Sequence, residues 1–150
     1  MVMGGYVDNP EFKAMASAFT NGGRLDHELI EGLPVKDYYH AYSKCDISLI
    51  PLRPGRFNSF KSNLKILEAA NIGSPVIVSE VEPYLGFPES VVNYVRRQSD
   101  WAYFVNLLTT NKEWAKEQGR ELQEYCDKNY NFDTINEARK NIFNHVTGRP

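Results

Sequence analysis

The sequence predicts an α/β domain with a Rossmann-like parallel sheet, helices on both faces of the sheet and further helices at the C-terminal end. Two observations carry this prediction. Short apolar runs, strongest at 46–52 and 75–79, alternate with segments of helical periodicity. Strands that alternate with helices form βαβ units, whose right-handed crossovers place helices on both sides of a parallel sheet.

The elements before the first strong strand are short. Residues 2–6 and the polar segment 25–31 are candidate strands. Between them, Asp-Asn-Pro at 8–10 predicts a helix start with proline in the first turn and either preceding residue as the cap. A helix carrying Tyr38 and Tyr42 then leads into the strand at 46–52.

The later elements begin with a helix at 61–72, which Gly73 ends. Strands at 75–79 and 91–95 follow. The rest of the chain predicts three helices: one capped by Ser99, one over 112–129, and one that starts at a capping box formed by Thr134 and Glu137.

Composition restricts the partners and the compartment. A chain of 150 residues suits one compact domain, and its net charge of −2 gives no bias toward nucleic acid or anionic membranes. No apolar run approaches the roughly 20 residues of a membrane span. Two distant cysteines and a start unlike a signal peptide predict a cytoplasmic protein with buried thiols. The three scattered histidines lack metal-ligand spacing, so no metal site is predicted.

The turn after 46–52 collects cations where the next helix is predicted to begin, namely Arg53, Arg56 and Lys61. A helix start attracts anions, so cations there weaken the helix unless an anion such as phosphate lies between them. On a helical wheel, Lys61, Lys65 and Glu68 share one face. This layout fits a nucleoside diphosphate, with its phosphates on the lysines and its ribose hydroxyls on Glu68. A solvated helix face with a Lys65–Glu68 surface pair is an equally open interpretation.

The same stretch resembles a known family. The matching pieces are Pro51-Leu52, Phe57-Asn58, Lys61-Ser62-Asn63-Leu64-Lys65, Glu68-Ala69-Ala70 and Gly73-Ser74-Pro75-Val76-Ile77. They resemble the nucleotide-sugar-binding half of retaining GT-B fold glycosyltransferases of the large group 4 type, and a looser likeness extends over nearly the whole chain. The resemblance implies that residues 1–150 are the C-terminal donor domain of an enzyme that transfers a sugar from a UDP- or GDP-sugar to a glycan, lipid or other acceptor, with no further cofactor.

The resemblance also implies roles for single residues. Glu68 matches the second glutamate of the family's Glu-x7-Glu motif and would hold the ribose, while Lys65 would face the diphosphate; with Lys61 they form the predicted catalytic group. Phe60 stands where the first glutamate, a donor-sugar contact, is expected. The implied phosphate contacts are the backbone N–H groups of Ser62, Asn63 and Leu64. Arg53, Arg56 and Lys61 of the turn would take part of the role of the missing glutamate. The implied nucleobase contacts are Leu33, Pro34 and Val35.

GT-B enzymes place the active site between two domains, and the acceptor domain comes first in sequence. We therefore expect that domain to be absent from this chain, which would bind nucleotide sugar but need an acceptor domain or a partner chain for transfer. The apolar faces of the last helices would pack on that partner or on a second copy in a homo-oligomer.

Other protein classes fit the sequence less well. A receiver domain needs an acidic pair after the first strand, where this chain has only Asp8, and Gly4-Gly5 does not supply the G-x-G-x-x-G of a dinucleotide-binding domain. Nucleic-acid binding is disfavoured because stacking aromatic residues do not interleave with the basic ones. A non-catalytic Rossmann-like binding or oligomerisation module stays open, and Phe60 favours it.

Overall fold

The computed structural model describes residues 2–5, 7–34 and 37–148, which have an α/β architecture built on parallel strands. Strands β1 (Val2–Gly5) and β2 (Glu28–Glu31) form one parallel pair. A second sheet contains β3 (Ser48–Ile50), β4 (Val76–Ser79) and β5 (Asn93–Val95) in that order, again with parallel neighbours. The predicted parallel α/β class is confirmed, and the described strands are divided between two sheets.

Five α-helices accompany these strands in the described part of the chain. They are α1 (Pro10–Phe19), α2 (Leu64–Ala70), α3 (Gln98–Thr110), α4 (Lys112–Asn129) and α5 (Phe132–Thr147). The predicted start of α1 is confirmed, with Asn9 as the cap: its side chain accepts hydrogen bonds from the backbone N–H groups of Glu11 and Phe12 at 2.8 and 3.1 Å.

The three-stranded sheet is covered on both faces, as predicted. Val76 and Val78 of β4 belong to a core that includes Ile66 of α2. Between them in sequence, Ile77 points to the opposite face and packs in a second core with Leu108 of α3. Successive residues of a strand point to opposite faces of the sheet. Because both faces of β4 are covered, apolar residues occupy successive positions instead of alternating with polar ones.

Helix α4 passes beneath the amino-terminal ends of β4 and β5. Gly119 lies against the segment before β4, so closely that an added Cβ would be 2.0 Å from the carbonyl oxygen of Gly73. Beside it, the buried Asn93 side chain at the start of β5 donates to Gln118 Oε1 at 2.7 Å. These contacts close the amino edge of the sheet, and the loops at the carboxyl edge carry the candidate site.

Several predicted helix boundaries are wrong. Helix α2 begins at Leu64 and not at Lys61, because Lys61 has extended backbone angles (φ −72°, ψ 162°) after a 3-10 turn at Asn58–Phe60. Leu64, the first residue of this helix, is exposed. The segment Tyr38–Lys44 is a 3-10 helix.

The starts of the last helices also differ from the prediction. Helix α3 begins with Arg97 as its cap residue, and the Asp100 carboxylate accepts from the backbone N–H groups of Arg96 and Arg97 at 2.9 and 2.8 Å. The cap of α5 is Asn131, whose side chain accepts from the Thr134 N–H at 2.8 Å. Thr134 is therefore the third residue of the helix and not its cap.

Candidate functional site

A cleft of about 420 Å³ opens at the carboxyl edge of the three-stranded sheet, and we call it the arginine cleft. Arg53 and Arg56 reach it from the loop after β3. Glu80 and Glu82 reach it from the loop after β4. The remaining lining residues are Pro54, Gly55, Asn58, Ser59, Val81 and Leu85. The structure thus places the two predicted arginines on one concave surface.

Hydrogen bonds within the loop hold both arginine backbones in place. The Asn58 side chain donates to the Arg53 carbonyl oxygen, and the Ser59 hydroxyl donates to the Arg56 carbonyl oxygen, both at 2.8 Å. At the base of the loop, the Leu52 N–H donates to the Ser79 hydroxyl at 2.9 Å, which ties the end of β3 to the end of β4. The side chains of Asn58 and Ser59 therefore shape the loop that carries the cations.

The charges on the two sides of the arginine cleft are not equivalent. Glu80 accepts from Arg96 Nε at 2.8 Å, and Arg96 also pairs with Glu89. Hydrogen bonds to Glu89 and Glu80 raise the pKa of the Arg96 guanidinium. Within the described part of the chain, neither Arg53 nor Arg56 makes an ion pair. Neither arginine is therefore neutralised by an ion pair within those residues, although the Glu80 and Glu82 carboxylates line the same cleft.

A second group of side chains lies along α2, and we call Tyr42, Lys65 and Glu68 the Glu68 cluster. Lys65 Nζ lies 2.9 Å from Glu68 Oε2, and the Tyr42 hydroxyl donates to the same oxygen at 2.7 Å. The Lys65 ammonium also lies 5.8 Å from the centre of the Tyr42 ring. The Glu68 side chain keeps 23% of its surface exposed, so a ligand can reach it.

Tyr84 lies near this cluster but belongs to the core. Its side chain is buried, and burial raises the pKa of its phenol while the positive charge of Lys65 acts against that rise. The Tyr84 hydroxyl is therefore a neutral neighbour of Lys65 at physiological pH.

The other residues predicted at the helix start are spread out. Lys61 is exposed and lies over the ring of Phe57, with Nζ 5.6 Å from the ring centre. The Asn63 side chain donates to the Tyr130 hydroxyl at 3.1 Å, so it does not cap the helix. Ser62 is exposed between them. Among the residues that the structure describes, no side chain caps the start of α2, and Lys61 lies outside the helical stripe on which it was predicted.

The predicted nucleobase contacts lie after β2, in the other sheet. Leu33 is half-buried and Pro34 is exposed, with the Pro34 carbonyl accepting from the Asp37 N–H at 2.8 Å. Val35 lies outside the described residues. Among the described contacts, none brings Leu33 or Pro34 to the arginine cleft or to the Glu68 cluster.

The sequence reasoning missed Glu80, Glu82 and the link from Tyr42 to Glu68. The positions of the first two in the sequence could have predicted them, because they follow β4 directly and the carboxyl ends of parallel strands meet at one edge of the sheet.

Within residues 2–5, 7–34 and 37–148, no group of three His, Cys, Asp or Glu side chains is placed to bind a metal ion. No helix in those ranges has the length and apolar character needed to cross a membrane.

Comparison of the chain with models of protein families, with curated proteins and with solved structures gave no match.

Proposed function

We propose that this chain is the donor-binding domain of a retaining GT-B fold glycosyltransferase and binds the nucleoside diphosphate part of a UDP- or GDP-sugar. One observation carries the proposal: Arg53 and Arg56, without ion-pair partners in the described part of the chain, line a cleft at the carboxyl edge of a parallel sheet. Sheets of this kind bind ligands at that edge. Guanidinium groups bind phosphate oxygens through paired, charge-assisted hydrogen bonds.

In this proposal the two groups of side chains divide the ligand between them. The arginines, with Lys61 and Lys65, attract the two phosphates, and Glu68 accepts hydrogen bonds from the ribose hydroxyls. When the sugar–phosphate bond breaks, the leaving diphosphate gains negative charge, and fixed cations in a partly dry cleft stabilise that charge. Glu82 lines the same cleft as the two arginines, and in this proposal it accepts a hydrogen bond from a hydroxyl of the donor sugar.

Sugar transfer also requires an acceptor held against the donor in reacting geometry. We therefore propose that this domain binds donor by itself and that transfer depends on an acceptor-binding domain or a partner chain. The two free cysteines, Cys45 and Cys126, support a reducing compartment such as the cytoplasm.

A calorimetric titration with UDP, GDP, ADP and CDP tests the proposal. We expect binding of UDP or GDP, and a loss of about tenfold in affinity for Arg53→Ala and for Arg56→Ala, because a hydrogen bond to a charged group contributes about 1.5–3 kcal/mol. Arg139→Ala is the matched control, since Arg139 is an exposed arginine on α5 and its removal should leave affinity unchanged. Absence of binding to the wild-type protein at millimolar nucleotide would refute the proposed function.

A second candidate function is a non-catalytic module that associates with another copy of itself. The observation in its favour is an exposed apolar side of α5, formed by Phe132, Ile142, Phe143 and Val146. Clustered exposed apolar residues mark interaction surfaces more often than isolated ones do. Sedimentation equilibrium should then show a dimer that Ile142→Ser with Val146→Ser converts to a monomer. A monomeric wild-type protein would exclude this candidate.

A further inference from the structure

The Glu68 carboxylate has an asymmetric hydrogen-bonding arrangement. Both protein donors, the Tyr42 hydroxyl and the Lys65 ammonium, reach the same oxygen, Oε2. The other oxygen, Oε1, receives no hydrogen bond from the described part of the chain. Two donors at one oxygen fix the position of the group, and Oε1 of this partly exposed side chain keeps its capacity to accept hydrogen bonds.

The charges of the cluster favour a neutral ligand group at Oε1. Lys65 already lies beside the carboxylate, so the pair carries no net charge that would attract a second cation. A carboxylate oxygen presented in this way accepts most readily from hydroxyl groups, and a vicinal diol can donate to it from two adjacent positions. The ribose of a nucleotide provides such a diol.

Tyr42 comes from a different part of the chain than Glu68. It lies in the 3-10 helix before β3, and its hydroxyl donates a hydrogen bond to Glu68 of α2, 26 residues further along the chain. Lys65, by contrast, belongs to the same helix as Glu68. The hydrogen bond from Tyr42 therefore connects the carboxylate to a second element of the fold.

We propose that Tyr42 is a positioning residue, which holds Glu68 through Oε2 so that Oε1 receives the ribose diol of the bound nucleotide. This inference rests on the proposed function and adds to it a specific determinant of ribose recognition. A positioning residue of this kind changes how the protein discriminates between ribose and deoxyribose ligands. A purely structural tyrosine would change stability alone.

The test compares UDP and GDP with their 2′,3′-dideoxy forms by calorimetry. We expect the wild-type protein to bind the ribose form at least about tenfold more tightly, in line with one or two hydrogen bonds to a charged group. Tyr42→Phe keeps the ring beside Lys65 and removes only the hydroxyl, and it should reduce this ratio to within about threefold while affinity for the dideoxy form stays the same. Tyr125→Phe is the control, because its hydroxyl donates to the Gly86 carbonyl oxygen, a contact outside the Glu68 cluster.

Glu68→Asp provides a second variant should Tyr42→Phe fail to fold. The shorter side chain keeps the charge but withdraws it from the Tyr42 hydroxyl, and it should likewise abolish the ribose preference. If Tyr42→Phe kept the wild-type ratio of affinities for the ribose and dideoxy forms, the positioning role would be overturned and the proposed function would stand. The same holds for Glu68→Asp where that variant replaces Tyr42→Phe. Equal affinity of the wild-type protein for both sugar forms would do the same. Failure of the wild-type protein to bind any nucleotide would instead refute the proposed function, and the inference with it.

Discussion

Replacing Gly119 by alanine tests how closely α4 passes beneath the sheet. A Cβ at this position would lie 2.0 Å from the Gly73 carbonyl oxygen and 2.8 Å from the Gly73 carbonyl carbon. Ordinary contacts lie at about 3.5–4.0 Å, so α4 must retreat by roughly 1.5 Å to admit the methyl group. Both obstructing atoms belong to the backbone, which cannot rotate aside as a side chain would.

The expected loss of stability follows from three contributions. Overpacking of this kind costs about 1–3 kcal/mol. Retreat of α4 also loosens the packing of Leu122, which is fully buried one turn later, and part of its burial energy of about 1.5–3 kcal/mol is lost. Alanine in place of glycine within a helix returns about 1 kcal/mol. The net change in the free energy of unfolding should be a loss of about 2–3 kcal/mol.

Urea unfolding followed by circular dichroism measures this loss, and the melting temperature should fall by roughly 4–12 °C. Gly55→Ala is the matched control, because a Cβ there would have no described atom within 4 Å beyond its own chain neighbours, and this variant should be unchanged or more stable by about 0.4–1 kcal/mol. If Gly119→Ala proved as stable as the wild-type protein, α4 would not contact the Gly73 backbone as described.

Two further predictions concern the first helix and a buried thiol. Asn9→Ala should lower the free energy of unfolding by about 1 kcal/mol in the same urea assay, because it removes the acceptor for the Glu11 and Phe12 N–H groups; an unchanged value would contradict the cap. Burial raises the pKa of Cys126 to about 11 from an ordinary value near 9, so the folded state retains a proton that the unfolded state loses in this interval. The free energy of unfolding of the wild-type protein, compared with that of Cys126→Ala, should therefore keep its full value below pH about 9. It should decline as the pH rises toward about 11. Parallel pH profiles for the two proteins would show that the thiol is not buried.

Local patterns predicted the elements whose cause is local. The apolar run around β4 predicts a strand because residues on both of its faces are buried, and Asn9 before Pro10 predicts a helix start because a cap needs only its own neighbours. Gly73 has φ 66°, the left-handed conformation that favours glycine at the end of a helical turn. The start of α5 was misplaced because Asn131 and Thr134 are both capping residues, and sequence alone gave no reason to prefer the earlier one.

The candidate site was predictable only in part. The loop after β3 could be assigned to the carboxyl edge, and Lys65 with Glu68 could be placed on one helix face, since both follow from strand direction and helical spacing. The wheel failed at Lys61 because the chain makes a 3-10 turn and an extended step before α2 begins. Spacing within one helix also cannot reveal a partner that arrives from another element, as Tyr42 does.

The sequence by itself determined the alternation of strands and helices, the parallel class of the sheet and the cations of the loop after β3. All of these depend on residues within a few positions of one another. The tertiary structure decided that Glu80 and Glu82 line the same cleft as the two arginines, that Gly119 meets Gly73, and that Tyr42 reaches Glu68. Such pairs are set by how helices and strands cross in space, and a crossing depends on the packing of the whole core rather than on any segment that forms it.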